Sequence, residues 1–461
     1  MKPKYFLALG LLALGLGSCG ESFFEQYPSN NITEGNFYKT DDDFNQGVVA
    51  CYAKLKTQMS FHLTEIGYRG DENILESMAV STQNRYDIDH FAETANNGIL
   101  NDIWNAWYNG IYRCNDVLDH MTGAKIANYD KYRGECLFLR SWWYFNLYRV
   151  FGVVPITRTV VTPAAAKLIP RCTEEEMYTL LTEDLAEAAR LLPPTPGPEK
   201  ARVANIAAYT LLAKVYLTFG KPAEAKTALE EAMKNPNYGL ESTTKKVFDV
   251  ANKMNREIIF ALYYNKTNDN GHGYWYSANT DVLADINNPT PTFKAIYDGE
   301  KDNRLPLIST YTKIKDNLFA MTKWYDTYDA TYTTQVGNDF PHLRYADVVL
   351  MYAEALAESG GSLGDALEWL NKTRTRAGLD ELTTDEVKSL AEFRRELAAE
   401  RGREFALEGH RWFDLVRLGL AVEYFRDLGY TLDAHNLIFP IPQNQIEIVN
   451  NPSILWQNPG F

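Results

Sequence analysis

Apolar side chains recur every three or four residues through most of this chain, and this spacing constrains its fold more than any other feature. Such spacing places the apolar residues on one face of a helix. Capping-box patterns at residues 173–176 and 383–386 predict the starts of two helices, because the threonine hydroxyl and glutamate carboxylate of each satisfy backbone amides. The other predicted helices cover residues 41–58, 96–121, 128–151, 203–219, 222–234, 343–359 and 364–376. We therefore predict a mainly helical fold.

Two of the predicted helix pairs show the spacing of tetratricopeptide repeats. Small alanines where two helices cross let them approach, and larger side chains fill the groove beside the crossing. The residues at the repeat offsets are Tyr209, Leu212, Ala213, Tyr216, Ala225, Leu229 and Ala232 in one pair, and Val349, Tyr352, Ala353, Leu356, Ala366, Leu370 and Thr373 in the other. Because such pairs bury both faces only by stacking on other helices, we predict a helical scaffold over residues 40–236 and 343–426.

Residues 237–342 interrupt the helical pattern. Turn-forming sequences lie at residues 268–271, 287–289 and 298–299, and short β-like stretches such as residues 258–263 lie between them. The segment also holds ten of the 29 tyrosines and two of the nine tryptophans. Since loops carried by a rigid scaffold frequently hold binding sites, we interpret residues 237–342 as a loop-rich, ligand-facing segment with short β pieces.

Aromatic and polar residues lie together in two parts of the chain and are the candidate binding residues. Aromatic rings in glycine-rich loops offer flat apolar faces to sugar rings or peptide side chains, and neighbouring amide, imidazole and guanidinium groups supply hydrogen bonds. The alternative interpretation is that these rings cap the core of the scaffold. The candidates are Asn84, Arg85 and Tyr86 in a polar-aromatic loop, and Asn270, His272, Tyr274, Trp275, Tyr276 and Trp324 in the loop-rich segment.

The first residues of the chain resemble an export signal. Lys2 and Lys4 precede an apolar run at residues 5–17, which is too short to span a bilayer and suits the core of a signal peptide. Small residues then precede Cys19, as in a bacterial lipobox. We predict a signal peptide at residues 1–18, lipidation of Cys19 and a single mature domain at residues 19–461. The alternative is an ordinary secretory signal that leaves Cys19 as a thiol.

Four further cysteines, Cys51, Cys114, Cys136 and Cys172, form no CxxC pair. The first three lie in helical apolar patterns, where a buried thiol behaves as a small hydrophobic side chain. Export would also permit such thiols to pair. The sequence favours neither outcome strongly, and we predict no specific disulfide.

The sequence lacks the motifs of common enzyme classes. HExxH and a phosphate-binding loop are absent, and the histidines do not show the spacing of a metal site on a helix. The formal net charge of −14 argues against electrostatic binding of nucleic acid. We therefore expect no catalytic residues, no cofactor, no metal ligands and no nucleic-acid partner.

Two charged clusters near the C-terminus have competing interpretations. Like charges on one helical face repel, and four glutamates recur at that spacing: Glu396, Glu400, Glu404 and Glu408. We expect ion pairs with one or more of the arginines at positions 394, 401, 403 or 411, and a cation site is the alternative. His410 and Asp414 are interpreted as a packed histidine held by a carboxylate, with acid–base chemistry as the alternative.

Short motifs follow one another along nearly the whole mature chain. They are FFEQYP at residues 23–28, FYKTDD at 37–42, RxExxFLRSxxYF at 133–145, FGVVP at 151–155, LRYAD at 343–347, YAEA at 352–355, LNxxRxRAGL at 370–379, EGHRWFDLVR at 408–417, PIP at 440–442 and QNPGF at 457–461. Together, and in this order, these motifs resemble those of the SusD/RagB-type nutrient-binding lipoproteins.

The resemblance implies a SusD-like fold of tetratricopeptide-like helix pairs, carried by a lipoprotein on the outward face of the outer membrane of a Bacteroidetes-type bacterium. It also implies a SusC-like TonB-dependent transporter as partner, over which such proteins act as a lid. Members of the family are not enzymes; they capture oligosaccharides, or in one branch peptides, and their ligand residues vary. Capture of an oligosaccharide is our leading hypothesis. Capture of an oligopeptide, and gating of the transporter without a ligand, remain open.

Overall fold

Helices make up most of the structure, a computed structural model that describes residues 37–72, 83–265, 277–279, 289–299, 301–315, 318–326 and 337–461. In chain order they are α1 (Asp41–Gly67), α2 (Gln83–Asp89), α3 (Gly98–Met121), α4 (Tyr129–Phe151), α5 (Pro163–Ala166), α6 (Glu174–Leu191), α7 (Asn205–Thr218), α8 (Pro222–Met233), α9 (Thr244–Val247), α10 (Pro291–Lys294), α11 (Leu305–Ser309), α12 (Tyr345–Glu358), α13 (Leu363–Arg376), α14 (Leu390–Glu404), α15 (Arg411–Arg417), α16 (Ala421–Asp427) and α17 (Gln443–Val449). The mainly helical prediction is confirmed. α1 continues beyond its predicted end.

The capping box predicted for α6 is present. Thr173 accepts a hydrogen bond from the backbone amide of Glu176, and the Glu176 carboxylate accepts one from the amide of Thr173. These bonds satisfy amides that the first turn of a helix leaves without partners. The start of this helix is therefore determined locally, by side chains within four residues of each other.

The prediction that a helix starts at residues 383–386 was wrong. The Glu386 carboxylate accepts hydrogen bonds from the backbone amide and the hydroxyl of Thr383, but these bonds close a single turn. The chain then leaves the helical path, Val387 is buried, and α14 begins behind a second capping box made by Ser389 and Glu392. A capping box closes one turn, whereas continuation of the helix depends on the packing partners of the next residues.

The long helices stack in the order α1, α3, α4, α6, α7, α8, α12, α13 and α14, each packing on the next. The two predicted repeat pairs are α7–α8 and α12–α13. Ala213 and Ala225 are fully buried at the first crossing, and Ala353 and Ala366 at the second. The predicted stack of tetratricopeptide-like pairs is confirmed. The apolar faces that one pair would leave exposed on its own are buried against the neighbouring helices.

The crossing of α3 and α4 lies in the aromatic core. Trp107 and Trp143 are both fully buried, with ring centroids 6.4 Å apart. Gly110 permits this approach, because a Cβ atom there would lie 2.2 Å from Trp143 Cε2. The cysteines at positions 51, 114, 136 and 172 are buried as free thiols.

Two small antiparallel sheets lie in the described part of the loop-rich segment and at its end. The first pairs β1 (Ile258–Leu262) with β5 (Phe340–Arg344), with Leu262 opposite Phe340. The second has the order β2 (Ser277–Asn279), β4 (Leu318–Met321), β3 (Tyr311–Lys315). The predicted β pieces are confirmed, and the turns α9, α10 and α11 between them were not predicted. Since β5 runs directly into α12, the first sheet is attached to the helical stack.

No helix in the described ranges combines the length and the apolar character that crossing a bilayer requires.

Glu400 and Glu404 of α14, and Glu408 beyond its end, lie in a buried network of ion pairs, as interpreted from the sequence. The predicted face of four glutamates does not form, because α14 ends at Glu404 and Glu396 is only half-buried. Arg304 donates hydrogen bonds to Glu400 at 2.7 Å and to Glu404 at 3.1 Å. Arg344 contacts Glu404 at 3.0 Å and Glu408 at 2.8 Å. Arg304 immediately precedes α11 and Arg344 ends β5, so both come from parts of the chain far from α14 in sequence. The network neutralises the repulsion among the glutamates.

One of the four candidate arginines is a partner of these glutamates. Arg403 does contact Glu400, at 3.1 Å. Arg394, Arg401 and Arg411 pair instead with Glu358, with Asp347 and Asp414, and with Asp71. Helical spacing shows which carboxylates share a face, but the residues that cover that face come from other elements.

His410 is a packed histidine. Its ring stacks on Phe405 with centroids 4.7 Å apart, and its Nδ1 lies 3.4 Å from Nζ of Lys214, which also pairs with Asp347. Burial, followed by the neighbouring Lys214 charge, lowers the pKa of His410 well below its ordinary value. The structural interpretation therefore holds, with Lys214 rather than Asp414 as the hydrogen-bonding neighbour.

Candidate functional site

The structure separates the predicted binding residues into three groups. Asn84, Arg85 and Tyr86 lie on α2, so the predicted loop is a helix. Trp324 lies in a short 3-10 helix, Thr322–Trp324. The remaining candidates, Asn270, His272, Tyr274, Trp275 and Tyr276, lie outside the described residues.

Trp324 is a core residue in this structure. Its side chain is 1% exposed, and its ring packs against Phe248 and Phe340 with centroids 5.2 and 6.2 Å away. A sugar ring needs an exposed aromatic face to stack on. The alternative interpretation, that the ring caps the core, therefore fits Trp324, and we leave it out of the proposed site.

Three residues of α2 and His90, which directly follows the helix, form an aromatic and polar surface. The rings of Tyr86 and His90 are stacked, with centroids 3.8 Å apart and planes 16° from parallel, and His90 Nδ1 lies 3.0 Å from the carbonyl oxygen of Tyr86. Both side chains are half-buried, and Asn84 is exposed. We call Asn84, Arg85, Tyr86 and His90 the α2 platform.

Arg85 is held by a carboxylate from α1. Its Nε lies 3.2 Å from Oε1 of Glu65, which is buried. Burial raises the pKa of Glu65 to about 7, and the adjacent Arg85 charge opposes that rise. The Glu65 carboxyl group accepts this hydrogen bond and orients the Arg85 guanidinium within the platform.

Asn84 is tied to the start of α3. Its carbonyl oxygen accepts a hydrogen bond of 2.9 Å from the side chain of Asn97, and its Oδ1 accepts one of 3.3 Å from the Gly98 amide. Asn97 also caps α3. A Cβ atom at Gly98 would lie 3.0 Å from Nδ2 of Asn84, so glycine there allows the close approach.

The chain after α2 is anchored in the core. Phe91 adopts the left-handed conformation with φ of 54°, and its ring packs on Trp412 and Phe425 with centroids 5.8 and 5.1 Å away. Two residues later, Glu93 forms a buried ion pair with Arg69. Because the platform is fixed at both ends, it presents its side chains without a large ordering cost.

This arrangement suits recognition of a neutral polar ligand with an apolar face. The half-buried rings of Tyr86 and His90 offer apolar surface for contact, and the amide and guanidinium groups offer hydrogen bonds to hydroxyls. Nothing in the described ranges groups three or more ligating side chains around a metal ion. Sequence reasoning missed Glu65 and His90. The four-residue spacing of Tyr86 and His90 would have signalled the stack only if residues 83–90 had been read as a helix.

A stack of helix pairs that presents a fixed polar and aromatic surface defines a helical binding protein. Two family models match complementary parts of the chain: that of the SusD family matches residues 303–461, and one described as starch-binding and associating with the outer membrane matches residues 28–217. Over both stretches the chain is similar to the SusD family. Its members are binding proteins and not enzymes.

Similar proteins align along nearly their whole length. SusD-like protein P2 of Formosa agariphila is 26% identical, over 99% of this chain and 100% of that protein. The structure of a laminarin-binding SusD-like protein has a TM-score of 0.76 at 24% identity, covering 92% of this chain and 100% of that one. Surface glycan-binding protein A from Bacteroides thetaiotaomicron, solved with laminarihexaose, has a TM-score of 0.75 at 21% identity, covering 91% and 99%. These structures share the fold of this chain.

Proposed function

We propose that this protein captures an oligosaccharide at the cell surface and delivers it to a SusC-like TonB-dependent transporter in the outer membrane. After removal of residues 1–18, a lipid on Cys19 anchors the mature chain, residues 19–461, with its ligand-binding side outward. The protein then acts as a lid over the transporter and performs no chemistry on the ligand.

The α2 platform carries this proposal. The stacked, half-buried rings of Tyr86 and His90 offer apolar contact surface, and Asn84 and Arg85 offer hydrogen bonds beside them. Similarity to the SusD family and the names of the laminarin-binding relatives support a glycan as the ligand class. Trp275 is proposed to add a second stacking face, with Tyr274, Tyr276, His272 and Asn270 beside it.

Calorimetric titration of the purified protein with laminarihexaose and maltohexaose tests the ligand class. Binding of either glucan is the expected result. Tyr86→Ala is expected to weaken the affinity at least tenfold, about 1.4 kcal/mol of binding free energy, because it removes one partner of the stack. Trp275→Ala is expected to act in the same direction.

Tyr112→Ala is the matched control, since Tyr112 is an exposed tyrosine on α3 that lies about 21 Å along the helix from Gly98. It is expected to bind like the parent protein. Unchanged affinity in Tyr86→Ala would remove the platform from the site. Binding of peptides but no glycan would assign the protein to oligopeptide capture.

The partner and the anchor need tests in cells. Deleting the gene while keeping the transporter should abolish growth on the captured glycan. Rescue by a binding-deficient Tyr86→Ala protein would indicate gating without a ligand and contradict the proposal. Cys19→Ser should release the protein from the outer-membrane fraction, and protease added to intact cells should digest the parent protein if it faces outward.

A further inference from the structure

A cavity of about 570 Å³ lies where the end of α4, the start of α6, α7, α15 and the C-terminal residues 456–459 meet. This volume is sufficient for a small ligand such as a monosaccharide. No residue of the α2 platform lines it. We call it the tail cavity. Its lining includes Tyr148, Arg149, Arg171, Glu174, Phe413 and Trp456.

Arg149 brings a cation to the tail cavity. Its guanidinium carbon lies 3.9 Å from the ring centroid of Phe413 and 4.7 Å from that of Phe145. Its Nη2 donates to the side-chain oxygen of Asn146. Of the described residues, none offers a hydrogen-bond acceptor to its buried Nε, and none places a carboxylate oxygen within 4.0 Å. Burial lowers the pKa of Arg149 to about 9, so the group is still charged at neutral pH.

Arg171 supplies a second such cation, and it is buried. Its donors reach the carbonyl oxygens of Val153 at 2.7 Å, Trp456 at 2.8 Å and Phe151 at 3.3 Å, and the side-chain oxygen of Asn458 at 2.7 Å. All of these acceptors are neutral. Carbonyl dipoles solvate the guanidinium without cancelling its charge, so the field of Arg171 extends into the cavity.

The other charged groups of the cavity wall are largely neutralised. Lys214 pairs with Asp347 at 2.5 Å. Asp414 pairs with Arg401 at 2.8 Å and with Arg417 at 3.0 Å. Glu174, at the start of α6, is exposed to solvent, where its charge is screened. The cavity therefore carries an excess of positive charge and favours an anion.

Trp456 gives the same cavity an apolar face. Its side chain is 40% exposed, and the Arg171 guanidinium lies 4.9 Å from its ring centroid. An exposed indole beside polar groups is suited to stacking with the apolar face of a pyranose ring. At the cavity edge, the Tyr148 hydroxyl lies 3.5 Å from Glu174, and both groups can exchange hydrogen bonds with sugar hydroxyls.

We infer that the tail cavity is a second ligand site, which takes an acidic sugar, with the carboxylate of a uronic acid at Arg149 and its ring against Trp456. A neutral sugar can stack on Trp456 but brings no negative charge to Arg149. An inorganic anion satisfies only the charged half of this site. The combination of an unbalanced guanidinium and an exposed indole selects a ligand that has both features.

Titration of the purified protein with D-glucuronate and D-glucose tests the inference. Glucuronate should bind at least tenfold more tightly than glucose. Arg149→Met, which keeps an unbranched apolar stem between the two phenylalanine rings, and Trp456→Ala should each weaken glucuronate binding at least tenfold. Arg395→Met is the matched control, because Arg395 is an exposed arginine on α14 outside the cavity; it should bind glucuronate like the parent protein.

Several outcomes would overturn the inference. Equal binding of glucose and glucuronate would remove the role of the charge. Inorganic sulfate binding as tightly as glucuronate would leave a simple anion site. Unchanged glucuronate binding in Trp456→Ala would place the sugar elsewhere. If Arg149→Met does not fold, Trp456→Ala still tests the inference, because Trp456 is exposed and its replacement should leave the fold intact. Loss of glucuronate binding in Tyr86→Ala would move the ligand to the α2 platform and so separates this inference from the proposed function.

Discussion

The crossing of α3 and α4 and the surroundings of α14 are both buried, but by opposite means. At the first, the apolar rings of Trp107 and Trp143 fill the interior and Gly110 makes room for them. At the second, Glu404 is fully buried among arginines from three other parts of the chain: Arg304, Arg344 and Arg376.

This difference shows that one protein can fill its interior in two ways, by apolar packing and by buried ion pairs. Apolar packing gains stability from the area that it removes from water, and its cost on mutation grows with the atoms lost or the clash created. A buried charge gains little by itself and depends on every partner being in place. The region of α14 should therefore be the more sensitive to removal of a single side chain, and the region of α3 and α4 the more sensitive to addition of one.

Arg344→Met should have the largest effect. Arg344 contacts Glu257 at 2.6 Å, Glu408 at 2.8 Å and Glu404 at 3.0 Å, so its loss leaves carboxylates buried without that partner. We expect the free energy of unfolding to fall by about 3–5 kcal/mol, measured by denaturant titration.

Arg395→Met is the control for this substitution. Arg395 pairs with Glu423 at the surface, at 3.2 Å, and an exposed pair contributes less than about 1 kcal/mol. Equal losses in the two variants would contradict the contrast between the two regions, because they would mean that burial of the ion pairs adds nothing to their importance.

Gly110→Ala should have the next largest effect and acts on the other region. The new methyl group would lie 2.2 Å from Trp143 Cε2, and the helices would have to separate. We expect a loss of about 1–3 kcal/mol in unfolding free energy, typical of overpacked cores. Gly67→Ala is the control, since a Cβ there meets no atom of the described residues within 4 Å; a comparable loss in Gly67→Ala would show that the crossing is not the cause.

His342 lies where the two regions meet and should show a pH effect. Its ring lies on β5, two residues before Arg344, and contacts Trp142 of α4 at a centroid distance of 4.8 Å. Burial, followed by the charges of Arg149 and Lys214, lowers the pKa of His342 to about 3. In the unfolded chain a histidine has a pKa of about 6.5. Below that pH the unfolded chain binds a proton that the folded chain does not.

The stability contributed by a neutral His342 is therefore complete above about pH 6.5 and falls by at most about 1.4 kcal/mol per pH unit as the pH decreases. His342→Phe removes this proton uptake. The difference in unfolding free energy between the variant and the parent protein should grow in favour of the variant from about pH 6.5 to about pH 5, and parallel pH profiles would contradict the assigned pKa.

Thr173→Ala should have the smallest effect. It removes the hydroxyl that caps α6, and loss of such a cap costs about 1 kcal/mol. Thr383→Ala removes the same group from a pattern that closes only a turn, so a smaller loss is expected in denaturant titrations. A larger loss at Thr383 would mean that the turn before α14 contributes more to folding than the cap of α6.

Most of the helical fold was predictable because its determinants are local. Apolar spacing and the cap at Thr173 act within a few residues of the chain, and the alanines at the repeat crossings are buried as the spacing required. The turn at Thr383 shows the limit of this reasoning. The same local pattern occurs there, but the packing of the next residues, with Val387 buried, delays the helix until Leu390.

The candidate site was less predictable for a related reason. Asn84, Arg85 and Tyr86 were selected by residue type, which is local, whereas Glu65 and His90 complete the platform only through the packing of α1 and the helical form of α2. Trp324 has the same residue type as a binding ring but lies in the core. Aromatic side chains serve both purposes, and only burial distinguishes them.

The sequence by itself determined most of the long helices, the repeat-like pairs and, through motifs spread over its length, the likeness to the SusD family. Tertiary structure alone decided which arginines cover Glu400 and Glu404, that Trp324 is buried while Trp456 is exposed, and that no carboxylate oxygen of the described residues lies within 4.0 Å of the Arg149 or Arg171 guanidinium. The physical reason is range: helix formation depends on neighbours within a turn or two, whereas burial and charge balance depend on residues that folding brings together from distant parts of the chain.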